Sequence, residues 1–264
     1  MLELQSISKT FHPGTIHAKK ALQNLSLSLN DGDFVTVIGG NGAGKSTLLN
    51  AIAGVWPVDE GSILIDGVDV TGLPEYKRAA FIGRVFQDPM LGTAPNMQIE
   101  ENLALALRRG KKRTLRWGVT KQEREDYYER LHALGLGLEK RMTDKVGLLS
   151  DGQRQALTLL MASLQKPKLL LLDEHTAALD PATAAKVLEL SDKIVEENGL
   201  TALMITHNMK DAIIHGNRLI MMNEGHIIVD ISGEEKKKLT KKDLLDRFAA
   251  LAGQQEETDS VLLS

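Results

Sequence analysis

Continuous apolar runs recur along this chain, and polar residues or glycines follow each of them. The clearest runs cover residues 34–38, 169–172 and 201–206. Runs of this length predict strands that are buried on both faces, as in a parallel sheet. Because ligands of open α/β sheets bind at the carboxyl ends of the strands, the residues that follow these runs are the first candidates for a site.

A second pattern, the alternation of apolar and polar residues, marks the first part of the chain. Leu25, Leu27 and Leu29 alternate with serines, which predicts a half-buried strand. Asn223-Glu224-Gly225 supplies turn residues between two short apolar runs and predicts a hairpin. Strands are therefore also predicted within residues 2–37 and at 62–66, 84–87, 218–222 and 226–230.

Apolar residues at helical spacing predict two groups of helices. Within residues 88–165, helices at 100–109, 120–134 and 153–165 follow one another without a convincing strand, which indicates an inserted α-helical lobe. The other predicted helices are 46–53, one that begins at Asp180-Pro181 and ends at Gly199, and 239–252, before a frayed tail at 254–264. The predicted domains are an α/β core (1–87 and 166–235), the helical lobe (88–165), and a C-terminal helix with a flexible tail (236–264).

The composition narrows the class of protein. The 264 residues are 42% hydrophobic, which is enough for a large core, and they include no cysteine, which excludes disulfides and cysteine metal sites. A net charge of −3 lacks the basic excess of proteins that bind nucleic acid through phosphates. No apolar run approaches the ~20 residues of a membrane span, and the first residues do not resemble a signal peptide. We therefore expect a soluble or peripheral, intracellular protein.

A glycine-rich segment of the form GxxxxGKS follows the first buried run. Its residues are Gly39, Gly40, Asn41, Gly42, Ala43, Gly44, Lys45, Ser46 and Thr47. Glycines let backbone N–H groups turn toward phosphate oxygens, and the following helix N-terminus adds partial positive charge. Lys45 can then reach the β and γ phosphates, and the Ser46 hydroxyl is placed to ligate Mg²⁺. The strand before this segment and the helix after it disfavour the alternative, a tight turn with a solvated lysine.

Polar residues at the ends of later strands could complete a site for phosphoryl transfer to water. Such a site needs a metal ligand, a group that deprotonates or orients the water, and charge compensation at the γ phosphate. Asp173 is suited to hold Mg²⁺, and Glu174, on the other side of the strand, could act as general base. Gln87 ends a predicted strand and could contact both metal and water, and His207 follows another strand. The alternatives are two solvated carboxylates and a histidine that caps the next helix.

The segment 149–153, here called the signature segment, is open to two interpretations. Ser150 and Gln153 form an S-x-x-Q capping box, which explains both residues without any ligand. A capped helix N-terminus that carries a glycine, Gly152, is also a second anion site. The chain would then have two phosphate sites for a single nucleotide.

A basic run interrupts the predicted helical lobe. It contains Arg108, Arg109, Lys111, Lys112, Arg113 and Arg116 and ends at Trp117. An exposed loop between two helices is the simpler interpretation, and contact with lipid headgroups or a partner is the alternative.

Taken together, these motifs resemble the nucleotide-binding subunit of ABC transporters, from about residue 2 to 230. The resemblance rests on the phosphate loop, on Gln87 at the Q-loop position, on the signature segment, on 169–174, on Ala178-Leu179-Asp180 at the D-loop and on His207 at the switch position. It implies an α/β fold in which a P-loop NTPase core carries an N-terminal antiparallel β subdomain and an inserted α-helical subdomain. It also implies ATP and Mg²⁺ as cofactors.

The resemblance assigns roles that the residues alone do not. Two copies are expected to pack head to tail, so that Ser150 and Gly152 of one copy close over the γ phosphate bound by Lys45 of the other. Phe11, otherwise an odd exposed aromatic, is expected to stack on adenine. His207 is expected to contact the γ phosphate, and Gln87 to report occupancy to a membrane partner near the helical lobe.

Three residues depart from the pattern of this family. Asp151 stands where glycine is usual and places a carboxylate near an incoming phosphate, which could weaken closure. His175 stands where proline usually follows the catalytic glutamate, and we interpret it as a loop variation. Gly40 replaces a common proline and should leave the N–H cradle intact.

The motif set without a membrane span predicts a transport ATPase that energises a separate permease at the cytoplasmic face of the membrane. An importer with an extracytoplasmic solute-binding protein is favoured over an exporter, and an amino acid is the first guess for the cargo. The alternative is a soluble ABC ATPase acting on ribosomes, DNA or cluster assembly. A regulator without turnover is disfavoured because Lys45, Glu174 and His207 are all present.

Overall fold

The computed structural model describes residues 1–111 and 118–247. Its strands are β1 (Leu2–Phe11), β2 (Lys19–Leu29), β3 (Phe34–Gly39), β4 (Glu60–Ile65), β5 (Val68–Asp69), β6 (Ile82–Val85), β7 (Leu169–Asp173), β8 (Ala202–Ile205), β9 (Arg218–Asn223) and β10 (His226–Ser232). Its helices are α1 (Lys45–Ala53), α2 (Glu75–Arg78), α3 (Ile99–Leu107), α4 (Lys121–His132), α5 (Asp151–Ser163), α6 (Pro181–Asn198), α7 (Met209–Ile214) and α8 (Gly233–Lys237).

The buried apolar runs form a six-stranded sheet in the order β10-β9-β3-β8-β7-β6. Strand β3 pairs in parallel with both β8 and β9, and β7 pairs in parallel with β6 and β8. Asp173 is the register partner of Ile205, which in turn pairs with Val37 in β3. The carboxyl ends of β3, β7 and β8 therefore meet at one edge of the sheet, and the phosphate loop leaves from the same edge.

A second, antiparallel sheet has the order β2-β1-β4-β5. Alternate residues of β2 are buried, as the leucine and serine alternation predicts. Its apolar face joins one core cluster with α1 and with one face of the parallel sheet. This packing holds β2 beside the phosphate loop, where the Ala21 carbonyl lies 2.4 Å from the position of a Cβ at Gly44.

Helices α3, α4 and α5 lie in the stretch that the sequence predicts to be helical. They share an apolar cluster of their own, built around Leu103, Tyr127 and Leu157, which are each fully buried. The described part of this stretch contains one isolated bridge, between Gln98 and Lys145, and no strand. The domain boundaries given above stay a prediction.

Several predicted boundaries are wrong by a few residues. Strand β6 ends at Val85, so the expected strand 84–87 is misplaced and Gln87 lies in a loop. Helix α5 begins directly after its N-cap, Ser150, rather than at 153. The expected helix 239–252 is preceded by α8, and residues 241–247 are helical, while the rest of it and the tail 254–264 lie outside the described residues.

The first part of the basic run makes internal contacts. Arg108 pairs with Glu123 at 2.8 Å, and Arg109 donates to the carbonyl of Ala162 at 3.5 Å. The rest of the run that falls within residues 112–117 lies outside the described residues. Over 1–111 and 118–247, the fold has no helix with the length and apolar character needed to span a bilayer.

Candidate nucleotide site

The phosphate loop takes its shape from glycines that sit against neighbouring backbone. Gly39, the last residue of β3, has a φ of 155°, and a Cβ there would lie 2.3 Å from the carbonyl oxygen of Met222. Gly44, the N-cap of α1, has a φ of 102° and the close approach to Ala21 described above. A side chain at either position would push the loop out of place, so glycine is a steric requirement here.

Lys45 begins α1 and points back into the loop. Its side-chain ammonium donates to the carbonyl oxygens of Gly39 at 2.8 Å and Gly40 at 3.1 Å. Burial lowers the pKa of Lys45, and the carboxylate of Glu174 opposes that shift. The ammonium thus lies within the loop and close to the candidate general base. Ser46 is exposed beside it, and Thr47 is buried in the first turn of α1.

Glu174 and His207 come together at the edge of the sheet. His207 Nδ1 lies 3.4 Å from Glu174 Oε2. Glu174 is outside β7 and has a φ of 44°, a left-handed conformation that is uncommon for residues other than glycine. Strand alternation therefore does not set the direction of its side chain, although its N–H still donates to the Ile205 carbonyl of the neighbouring strand.

The alternative role for His207, capping the next helix, is also wrong. Asn208 is the N-cap of α7, and its side chain accepts a hydrogen bond from the N–H of Lys210 at 3.0 Å. The imidazole of His207 is left exposed on the side of Glu174.

Arg84 is a part of this site that the sequence reasoning missed. From β6 it donates to Asn50 Oδ1 of α1 at 2.8 Å and lies 3.3 Å from Asp173 Oδ2. Burial raises the pKa of Asp173, and the Arg84 charge opposes that rise. The guanidinium also covers the ring of Phe86 at 4.6 Å from its centroid. An arginine within the otherwise apolar β6 is the signal that could have revealed it.

The residues predicted to hold Mg²⁺ are suited to that ion in their chemistry. Serine hydroxyl, carboxylate and amide oxygens are hard ligands, and Mg²⁺ keeps several waters, so few protein ligands are needed. Arg84 donates a hydrogen bond to Oδ2 of Asp173. The other oxygen, Oδ1, accepts no hydrogen bond from the described residues. The side chains of Ser46 and Gln87 are both exposed. No cluster of three or more acidic or histidine side chains suited to a metal occurs in the described ranges.

Gln87 and Asp173 line one open cleft of about 670 Å³ between the phosphate-loop helix and the signature helix. Val55, Met90 and Leu91 also line the cleft, and each of these apolar side chains is exposed, Leu91 by 69%. Because β6 ends at Val85, Gln87 belongs to the loop that forms this wall.

The signature segment forms the predicted capping box. Ser150 Oγ accepts from the N–H of Gln153, and Gln153 Oε1 accepts from the N–H of Ser150, both at 3.3 Å. Asp151 points to Arg154, which donates to its carboxylate at 3.1 Å. A Cβ at Gly152 would lie 2.2 Å from Thr183 Cγ2 of α6, so a side chain at this position would force the Thr183 methyl group to move. No hydrogen bond or ion pair within 1–111 and 118–247 joins Ser150 to the phosphate loop.

His175 points away from the nucleotide side. Its ring is buried, and Nε2 lies 2.9 Å from Ser191 Oγ of α6. Since the Ser191 hydroxyl donates to the carbonyl of Val187, its oxygen accepts the imidazole N–H. Burial lowers the pKa of His175 to about 4, so the ring is neutral near pH 7. This residue anchors the loop after Glu174 to α6, which agrees with the interpretation as a loop variation.

Phe11 is not the isolated exposed aromatic that the sequence suggested. It is half-buried, and its ring meets that of Trp56 edge to face, with centroids 5.0 Å apart. The ammonium of Lys9 lies 5.9 Å from the Phe11 centroid. Its stacking on adenine stays a prediction.

Comparison with known proteins decides the family. Residues 22–177, more than half of the chain, match the family model described as ABC transporter. This chain belongs to the ABC transporter family.

Curated ABC transporter proteins match it over nearly its whole length. It is 46% identical to a tyrosine transport ATP-binding protein of Clostridioides difficile, over 94% of this chain and 98% of that protein. It is 32% identical to the ABC transporter ATP-binding protein YxdL of Bacillus subtilis, over 100% and 99%. It is also 35% identical to the spermidine/putrescine import ATP-binding protein PotA of Haemophilus influenzae, over 89% of this chain but 59% of that one.

Solved ABC cassettes share the fold. The dimeric, post-hydrolysis structure of the cassette MJ0796 bound to ADP and Pi superposes with a TM-score of 0.74 and 31% identity, over 88% of this chain and 98% of that one. The ADP conformation of the cassette MJ1267 superposes with a TM-score of 0.76 and 29% identity, over 94% of this chain and 98% of that one. The predicted fold class, a P-loop NTPase core with an antiparallel β subdomain and a helical subdomain, is confirmed.

Proposed function

We propose that this ATP-binding subunit hydrolyses ATP to drive an ABC importer of a small solute, with an amino acid as the first candidate. The observation that carries the proposal is the proximity of Glu174 and His207. His207 Nδ1 lies 3.4 Å from Glu174 Oε2, at the sheet edge from which the phosphate loop leaves. The similarity to a tyrosine transport protein supports an amino acid, and the similarity to PotA supports import.

In this proposal the phosphate loop and Lys45 bind the β and γ phosphates. Glu174 accepts a proton from the attacking water as the water oxygen bonds to the γ phosphorus and the bond to the β–γ bridging oxygen breaks. His207 donates to the γ phosphate and holds Glu174 in place. Bound Mg²⁺, held by Ser46, Asp173 and Gln87, would neutralise charge on the phosphates.

A second copy completes the site in this proposal. The Ser150 side chain and the N-terminus of α5 in one copy contact the γ phosphate held by the loop of the other, which supplies a use for this helix end beyond its own cap. The dimeric form of the similar cassette MJ0796 supports the arrangement.

The open cleft beside Gln87 is the surface we assign to the membrane permease. Its exposed apolar wall of Val55, Met90 and Leu91 suits a hydrophobic segment of a partner. A segment seated there touches the Gln87 loop and so senses the site. The subunit then works at the cytoplasmic face of the membrane, with an extracytoplasmic solute-binding protein delivering the cargo.

Uptake by reconstituted vesicles tests this function. The chain is combined with the membrane subunits that co-purify with it, and ATP-dependent accumulation of labelled tyrosine is compared with that of labelled spermidine. We expect tyrosine uptake that vanishes in a Glu174→Gln complex. Association of the purified chain with ribosomes or DNA, and not with membranes, would contradict it.

A further inference from the structure

We infer that Lys19 is a second phosphate-binding cation of the nucleotide site, in addition to Lys45. The inference rests on the proposed function, because it takes the phosphate loop to be the ATP site. It adds a residue that no motif of the chain contains.

The first observation is the position of the Lys19 ammonium. The structure places Lys19 Nζ 3.0 Å from the position that a Cβ at Gly42 would occupy. Gly42 belongs to the phosphate loop and is exposed, with a φ of 82°. The ammonium therefore lies over the open side of the loop, whereas Lys45 lies inside it.

The second observation is the strand register. Lys19 is the cross-strand partner of Phe11, and Lys20 is the partner of Thr10. Directly paired residues of antiparallel strands project to the same face, and neighbours along a strand project to opposite faces. Lys19 thus shares a face with the residue expected to stack on adenine. It lies between that residue and the loop, where the phosphates nearest the ribose would pass.

The third observation concerns charge. The ammonium of Lys19 makes no hydrogen bond or ion pair with any residue in the described ranges, and its side chain is exposed. Lys9, the other lysine near Phe11, is instead paired with Asp59 at 2.8 Å. A cation without a carboxylate partner, next to a loop that collects phosphates, is available for a phosphate oxygen.

Equilibrium binding of ADP in excess EDTA, measured by isothermal titration calorimetry on the full chain, tests the inference. We expect Lys19→Met to weaken binding about 5-fold to 20-fold and Lys19→Arg to restore most of it. The matched control Lys20→Met should stay within about 2-fold of wild type, because its side chain is on the other face. Melting temperatures without nucleotide should be the same for all three variants.

Salt separates a direct contact from a general effect. The difference in ADP affinity between the wild type and Lys19→Met should become smaller in high KCl, because salt screens a partly exposed ion pair. Equal losses for Lys19→Met and Lys20→Met would overturn the inference, as would an unchanged affinity for Lys19→Met. Lys45→Met tests the nucleotide site separately from the role of Lys19. If Lys45→Met weakens ADP binding while Lys19→Met does not, the phosphate loop is still the nucleotide site and the inference about Lys19 fails. If neither variant weakens binding, the proposed function fails first.

Discussion

Two helix N-termini of this protein, those of α1 and α5, are suited to phosphate. They differ in whether side chains of the chain itself already cap them: α1 has no side-chain cap, and α5 has one. At α1 the side chain that follows the N-cap, Lys45, is held by the carbonyl oxygens of Gly39 and Gly40 in the loop itself. At α5 the side chains of Ser150 and Gln153 cap each other, and Asp151 adds a carboxylate. In the proposed function the first end binds the polyphosphate, while the second is already capped by its own side chains.

The difference indicates how the proposed cycle depends on a partner copy. A capped helix end retains its dipole and a hydroxyl that can donate, but it lacks the cradle that would hold a nucleotide alone. It can contribute one more contact to a phosphate that the loop of the other copy already binds. We therefore expect changes at α1 and its neighbours to act on the single chain, and changes at α5 to act on turnover by the dimer.

Glu174→Gln is expected to have the largest effect. An amide cannot take the proton from water, so steady-state ATP hydrolysis should fall about 10²-fold to 10⁴-fold. ADP affinity should stay close to wild type, because the loop itself is unchanged. The exposed Glu189 of α6 offers the control Glu189→Gln, and a normal hydrolysis rate for Glu174→Gln would remove the general base from the mechanism.

His175→Ala tests whether the contact between His175 and Ser191 of α6 stabilises the loop that follows Glu174. Removing the buried ring leaves a cavity and breaks the bond to Ser191, so the free energy of unfolding should fall by about 2–3 kcal/mol. Urea unfolding measures the loss, and a double-mutant cycle with Ser191→Ala isolates the bond. A coupling near zero would mean that α6 does not hold this loop through the imidazole.

Ser150→Ala should separate the two helix ends most directly. In the proposed dimer the Ser150 hydroxyl donates a charge-assisted bond to the γ phosphate of the other copy, so its loss should lower ATP hydrolysis about 10-fold to 100-fold. ADP binding by the single chain should not change. Loss of the cap should also cost about 1 kcal/mol of stability.

The control for that experiment is Ser150→Thr, which keeps a hydroxyl and a cap. It should retain most of the hydrolysis rate. If Ser150→Ala weakened ADP binding by the single chain, the proposed division between the two helix ends would be wrong.

Asp151→Gly should give the smallest effect, and in the opposite direction. The Asp151 carboxylate is held by Arg154, so its repulsion of an incoming phosphate is partly compensated. We expect ATP-induced dimerisation of a Glu174→Gln background to strengthen about 2-fold to 5-fold, since an exposed charge interaction is worth about 0.2–1 kcal/mol. Sedimentation at several protein concentrations measures it, with Glu125→Gln, at an exposed position of α4, as the control.

How far sequence reasoning reached is clearest at individual residues. Ser150 and Gln153 form the capping box that their spacing predicted, because such a box depends on one turn of helix. Arg84 was missed because its partners, Asn50 and Asp173, are 34 and 89 residues away. Phe11 was misjudged for the same reason, since Trp56 approaches it from another part of the chain.

The sequence alone determined the phosphate loop, the buried strands and the helix caps, because each depends on steric and hydrogen-bonding rules that act within a few residues. Only the tertiary structure decided which way Glu174 turns, what His175 contacts and where the Lys19 ammonium lies. These depend on β2, β7, β8 and α6 coming together, and such long-range packing leaves no local pattern in the chain.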